Sequence, residues 1–169
     1  MSRILGIDPG NAESAYALID SATCQPIEVG KVPNDLILEL IMDQCLGDPL
    51  SGEPGPFIDR VVIEMVASYG MAVGAEVFET CVWIGRFQQI ADVYGASVPV
   101  DLTYRRHVKL HHCGTSKAKD SNIIQALIDR FAFGQPNRGK GTKAEPGWFY
   151  GFAADMWQAY ALAVYAADL

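Results

Sequence analysis

Three carboxylates stand out by their settings along the chain. Asp8 closes the apolar run Ile4-Leu5-Gly6-Ile7 and is followed at once by Pro9-Gly10, and Glu64 closes the β-branched run Val61-Val62-Ile63. Asp155 is the only acid between Glu145 and Asp168, in a stretch otherwise apolar or small. A charged side chain at the end of a core strand must be hydrated, paired or bound to a cation, because burying it alone is costly. If the strand that Asp8 ends and the one that Glu64 ends are neighbours, the two side chains lie roughly 5 Å apart, and repulsion at that distance calls for a cation. Three convergent carboxylates suit Mg²⁺ or Mn²⁺, hard ions that prefer oxygen. Such a cluster can hold two ions roughly 4 Å apart, one activating water and one stabilising the departing oxygen of a phosphodiester. The chemistry that follows is metal-dependent phosphodiester hydrolysis. Taken singly, each acid has an ordinary explanation: Asp8 as a turn initiator, Glu64 as a strand-end surface acid, Asp155 as a helix N-terminal acid offsetting the dipole.

The elements that must position these acids can be read from periodicity. Residues 3–8, 14–20 and 26–32 form three short strands of an antiparallel meander, joined by Pro9-Gly10-Asn11 and a turn over residues 21–25. Asn34 or Asp35 caps a helix to about Cys45, with Leu36, Ile37, Leu40 and Ile41 at helical spacing. Residues 47–56, rich in Pro and Gly, form an exposed loop. Residues 60–65 read as a central strand, and a helix follows from about Gly74 to Tyr94 with Val77, Cys81, Ile84 and Phe87 or Gln88 on its apolar face. Residues 97–102 read as a strand. Ser116 opens a helix to about Phe131, with Lys117, Lys119 and Asp120 in its first turn and Ile123, Ile124, Leu127 and Ile128 in its buried stripe. Residues 134–147 lack an apolar anchor and read as a mobile basic loop. The last segment, 150–169, is Ala-rich and reads as a closing helix packed on the sheet. The whole is a mixed α/β layout of one domain, residues 1–169.

At 169 residues the chain can bury roughly 70% of its unfolded surface. It shows no basic-then-apolar leader and no apolar run near the roughly 20 residues of a membrane span, which reads as a soluble, cytoplasmic protein. Cys24, Cys45, Cys81 and Cys113 form no Cys-x-x-Cys pair, against a zinc knuckle or a redox motif. His107, His111, His112 and Cys113 crowd together, but with no second ligand cluster the histidines read as solvent-facing or phosphate-facing. The net charge of -7 argues against a nucleic-acid partner until it is resolved along the chain. Arg105, Arg106, Lys109, Lys117, Lys119, Arg130, Arg138, Lys140 and Lys143 fall within 39 residues that hold only two acids, Asp120 and Asp129. Such segregation puts one positive face on an acidic body, as a polyanion contact requires.

The pattern Gly6-Ile7-Asp8-Pro9-Gly10, then Val62-Ile63-Glu64, then a Lys-bearing helix start, then Asp155 leading into Ala159-Tyr160-Ala161-Leu162-Ala163-Val164, resembles the RuvC-like Holliday-junction resolvases, especially their phage-type members. The resemblance implies a ribonuclease H-like fold, with three antiparallel strands followed by parallel ones between flanking helices. It also implies a homodimer that makes paired, metal-dependent nicks in a four-way DNA junction, in a phage or bacterial setting. Asp8, Glu64 and Asp155 match the metal-binding acids by position. The family often carries another acid three residues beyond the last, where this chain has Gln158, so the fourth ligand stays open between water, the Gln158 amide and Asp120. Capping and a salt link to Lys117 or Lys119 explain Asp120 more simply. Lys117 and Lys119 resemble the basic helix start that touches the scissile strand in relatives. An aromatic wedge in relatives aligns near Ala67; Tyr69, in the adjacent turn, offers that ring instead, and stacking a base on it is worth roughly 1–3 kcal/mol. With the charge pattern, the expected DNA contacts are Tyr69, Arg105, Arg106, Lys109, Lys117, Lys119, Arg138, Lys140 and Lys143. The helix bearing Phe78, Trp83 and Phe87 is core for most of its surface and a dimer interface for part. Two other readings share these features: an actin-like ATPase, for which the chain is too short to supply two halves, and a non-catalytic branched-DNA-binding module.

Overall fold

A computed structural model describes residues 2–48, 52–55, 57–95 and 98–169. Strands β1 (Arg3–Asp8), β2 (Glu13–Asp20) and β3 (Pro26–Pro33) precede α1 (Asn34–Leu46). The two-residue strands β4 (Gly47–Asp48) and β5 (Glu53–Pro54) follow, then β6 (Arg60–Met65), α2 (Ala75–Tyr94) and β7 (Val100–Tyr104). The chain closes with α3 (Arg105–Cys113), α4 (Asp120–Phe131) and α5 (Met156–Ala167). The main sheet runs β3-β2-β1-β6-β7. It is antiparallel across the meander and parallel from β1 through β6 to β7, which is the expected mixed sheet.

Alternation along the strands divides the core in two. Leu5, Ile7, Leu18, Val61 and Ile63 face α1 and α2, where Ile37, Ile41, Ile84 and Phe87 meet them. Ile4, Ala15, Ala17, Ile19 and Val62 face α4 and α5. With both faces covered, the central strands are apolar almost without interruption until the acids at their ends. The closest approach is between β1 and α5: a Cβ built on Gly6 would lie 2.5 Å from the Ala159 carbonyl oxygen and 2.9 Å from the Ala163 Cβ. Gly6 and the alanines of the closing helix are thus two halves of one contact. Every α5 residue from Trp157 to Val164 is buried.

Several boundaries differ from the sequence expectations. Residues 105–113 form α3, ended by Gly114 in the left-handed region at φ 71° and burying only Val108, so that it lacks the apolar stripe by which the other helices were expected. The next helix begins at Asp120 rather than Ser116, leaving Lys117 in the preceding turn. The buried stripe of α2 is Thr80, Ile84, Phe87 and Ala91, one residue away from the expected Val77–Cys81 line. Asn34 does not cap α1 with its side chain, which is tied instead to the turn after β1. In the basic segment 134–147, backbone bonds from Gly147 to Lys140 and from Phe149 to Gly139 fold the chain back on itself. Ser97 and four residues of the 47–56 loop lie outside the described residues. Among the described residues no helix is long and apolar enough to cross a membrane.

Replacing Gly6 by Val should force α5 off β1. We expect a loss of about 1–3 kcal/mol, seen as a lower urea midpoint with an unchanged slope; a wild-type midpoint would show that the helix does not seat this closely.

Candidate active site

The strand register lays one row of side chains across the sheet. Asp8 pairs with Ala15, and Ala15 pairs with Lys31 of β3. On the other side Ile7 pairs with Ile63, so one residue on Asp8 stands beside Glu64, which itself pairs with Thr103 of β7. Side chains on cross-strand partners share a face. Because Ile4, Val62 and Ala15 all face α5, the row Lys31, Ala15, Asp8, Glu64, Thr103 faces α5 as well.

Asp155 stands at the N-cap of that helix, after Ala154 at φ 43°, a left-handed conformation that costs a residue with a Cβ roughly 1–2 kcal/mol. The Asp155 carboxylate makes no capping bond and instead meets Lys31, with Nζ 2.6 Å from Oδ2. Asp8, Pro9, Gly10, Glu13, Lys31 and Asp155 line a cavity of about 360 Å³. A buried network fixes the turn beside it: the Gly10 N–H donates to Ser14 Oγ at 3.1 Å, the Ser14 hydroxyl to Asn34 Oδ1 at 2.6 Å, and the Asn34 amide to the Gly10 carbonyl at 2.9 Å.

Burial first, and then the charges of Glu64 and Asp155, push the Asp8 carboxyl up to about 7 against the opposing charges of Arg105 and Lys31. Burial also raises Glu64, against the pull of Arg105. Arg105, the first residue of α3, places Nη1 2.9 and 2.8 Å from the two Glu64 oxygens. Its Nη2 lies 3.1 Å from Asp120. The outer acids therefore each hold a cation of the chain, while Asp8 between them forms no ion pair among the described residues.

No family model matches the chain, and no curated protein sequence matches it. The resemblance emerges from solved structures. Thermus thermophilus RuvC superposes with a TM-score of 0.65 at 16% identity, covering 98% of this chain and 93% of that one. T. thermophilus RuvC in complex with Holliday junction substrate gives 0.66 at 14% identity, covering 99% and 93%. The fold is that of RuvC.

Within this RuvC fold the residues singled out from sequence fall into three groups. Asp8, Glu64 and Asp155 come together on one face. Tyr69, Arg105, Arg106 and Lys109 line a second cavity of about 360 Å³ with Ser116; Tyr69 is 64% exposed there. Lys117 and Lys119 are exposed just before α4, whereas Arg138, Lys140 and Lys143 follow its far end, about 18 Å away along a 12-residue helix. The salt link expected from Asp120 to Lys117 or Lys119 is replaced by the one to Arg105, which reaches it across the α3–α4 turn. His111 is exposed and places Nε2 2.7 Å from Asp168, whereas His112 is half-buried with Nε2 2.8 Å from the Ala161 carbonyl oxygen, so the two pin α3 to α5. Among the described residues no three His, Cys, Asp or Glu side chains are gathered as a metal cage; Glu64 and Asp155 are engaged by Arg105 and Lys31. Sequence reasoning missed Lys31 altogether, since only the two hairpin registers bring it into line with Asp8.

Asp8 keeps its proton to a higher pH in the folded chain than its ordinary 3.8. The folded state then binds more protons than the unfolded one between those values, so its contribution to stability falls as pH rises from about 4 through about 7. Thermal melts in chelator should show Asp8→Asn with a higher midpoint than wild type at pH 8 and a shallower decline from pH 5 to 8. An unchanged pH slope would remove Asp8 as its source.

Proposed function

We propose that the chain is a structure-selective endonuclease that resolves four-way (Holliday) or branched DNA by metal-dependent hydrolysis of phosphodiesters. The observation that carries this reading is the shared face of Asp8, Glu64 and Asp155 in a RuvC fold, where two desolvated acids on adjacent strands raise each other's need for a cation. That T. thermophilus RuvC was solved with a Holliday junction substrate supports the same substrate class here, and with it a bacterial or phage-infected cytoplasm.

The donor set fits a hard divalent ion: carboxylate oxygens only, with Asp8 in no ion pair among the described residues. Asp8, Glu64 and Asp155 would hold Mg²⁺ or Mn²⁺, two ions in the form expected from the sequence, supplying a Lewis acid that activates water and steadies the departing oxygen. The chain's own residues do the positioning. Arg105 orients both oxygens of Glu64 from the start of α3. The cavity of Tyr69, Arg105, Arg106 and Lys109 offers cations for backbone phosphates and a ring on which an unpaired base can stack. A homodimer would set two such sites against a two-fold junction. Phe78 and Val82, 62% and 63% exposed on α2 away from its buried stripe, support that interface.

The second reading, a branched-DNA-binding module without catalysis, draws on Gln158 at the place of the family's further acid. Cleavage of a labelled four-way junction in Mg²⁺, beside linear duplex, separates the two. Asp8→Asn, Glu64→Gln and Asp155→Asn should each abolish cleavage while junction binding persists; full activity in any one strikes that residue from the catalytic set. Neutralising Arg138, Lys140 and Lys143 should reduce the salt slope of junction binding by up to about 0.9 for each phosphate no longer neutralised. A slope left unchanged would mean that these three charges are simply solvated.

A further inference from the structure

The two stretches of chain that meet where Lys31 touches Asp155 run away from that contact together. β3 leads back from Lys31 through Val29 to Ile27, and the segment before α5 leads back from Asp155 through Phe152 and Tyr150 to Trp148. Between them lies a cavity of about 390 Å³, lined by these five residues among others. It starts at Val29, the next residue on the α5 face of β3 after Lys31, and so continues the cavity of Asp8, Lys31 and Asp155. Ile27, at its far end, is 44% exposed and is the extra residue of a bulge opposite Leu18 and Ile19, a device that re-aims a side chain. From Lys31 to Ile27 is about 13 Å of strand, the length of about four stacked nucleotides at about 3.4 Å each.

The rings of this groove suit bases. Trp148 is a fixed platform: Phe131 stacks on it with the ring planes 6° apart, and its N–H is held by Tyr160. What the half-buried indole offers the groove is therefore ring surface and no donor. Tyr150 is 46% exposed beside it. Stacking of this kind accepts any base, because every base has a π-face. The wall that carries Trp148 is also the wall that carries charge, since backbone bonds from Gly147 to Lys140 and from Phe149 to Gly139 tie it to the basic segment. Arg138, Lys140 and Lys143 are opposed there only by Glu145, and none of the four forms an ion pair among the described residues. Glu28, the one acid of the groove lining, accepts a hydrogen bond from Tyr16, which belongs to the core on the other face of the sheet. A protein strand fits this edge less well, because Pro26 and Pro33 bracket β3 and proline on an edge strand opposes the addition of another.

We propose that the groove between β3 and residues 146–152 holds an unpaired DNA strand where it leaves the active site, with a base stacked on Tyr150 beside Trp148 and phosphates met by the basic segment. The proposal rests on the branched-DNA reading and extends it: a branch with one single-stranded arm is bound more tightly than one whose arms are all paired.

The test compares two probes by fluorescence anisotropy on the full chain in chelator: a four-way junction with four duplex arms, and the same junction with one arm replaced by an oligothymidine tail. Wild type should prefer the tailed probe by about fivefold or more, the lower end of what one stacked base contributes. Tyr150→Ala should abolish that preference and Tyr150→Phe should keep it, with neither changing affinity for the all-duplex junction by more than about twofold. Equal affinity of wild type for the two probes overturns the proposal, as does a preference that survives in Tyr150→Ala or vanishes in Tyr150→Phe. Tyr150-dependent binding of a proline-rich peptide without any preference for the tail would give the groove to a protein partner and overturn it as well. The wild-type comparison decides by itself if the variants do not fold. Junction binding without a tail preference overturns the groove alone and leaves the branched-DNA reading standing, whereas binding of neither probe overturns both.

Discussion

Parallel pairing of β1 with β6 sets two carboxylates side by side under a helix, and the rest of the molecule is arranged around the repulsion between them. At roughly 5 Å and an effective dielectric near 20, two such charges repel by about 3 kcal/mol, and burial adds to the cost of ionising either. Burial chiefly, and the charge of Glu64 after it, push Asp8 up to about 7. Arg105 on Glu64 and Lys31 on Asp155 oppose that shift from the two ends of the site, while the middle carboxylate keeps its demand for positive charge. A chain selected only for stability would not leave that demand in place.

The precision of the site depends on the seating of α5. Gly6 and the helix alanines allow backbone and sheet to come close, and aromatic packing fixes the angle. Trp148 stacks on Phe131 with ring centroids 5.1 Å apart, its indole N–H donates to the Tyr160 hydroxyl at 2.9 Å, and that hydroxyl donates to the Cys24 carbonyl at 2.9 Å. At the far end Arg130 and His111 both hold Asp168. A helix buried along its length and clamped at its C-terminal end can present Asp155 at a fixed point, even through a strained residue such as Ala154.

Charge is divided to match. The acids collect where β1 and β6 end, and α3 sets bases beside them, so that Arg105 both touches Glu64 and lines the cavity of Arg106, Lys109 and Tyr69. A phosphate backbone drawn to those bases would lie beside the carboxylates without having to cross them. The net acidity of the whole chain is therefore a poor guide to the sign of this face.

Much of this was legible in order along the chain. Apolar runs that stop at an acid marked Asp8 and Glu64, the Ala-rich closing segment marked the helix that carries Asp155, and alternation marked the antiparallel meander, because burial on a sheet face enforces a period of two and burial against a helix a period near 3.6. The α3 helix stayed hidden because it is short and buries a single apolar residue, Val108, too few to mark a helix by apolar spacing. Asp120 was assigned to its sequence neighbours, although its partner comes from the preceding helix. Lys31 had no signal at all: it lies 23 positions from Asp8 in sequence and meets Asp155 only because two hairpin registers and the seat of α5 converge. Sequence by itself determined which residue types could do chemistry and which elements carry them, since local burial patterns follow from the order of side chains. Tertiary structure alone decided which charges share the site, because electrostatic partners are chosen by distance through space, and that distance is set by strand register and helix packing.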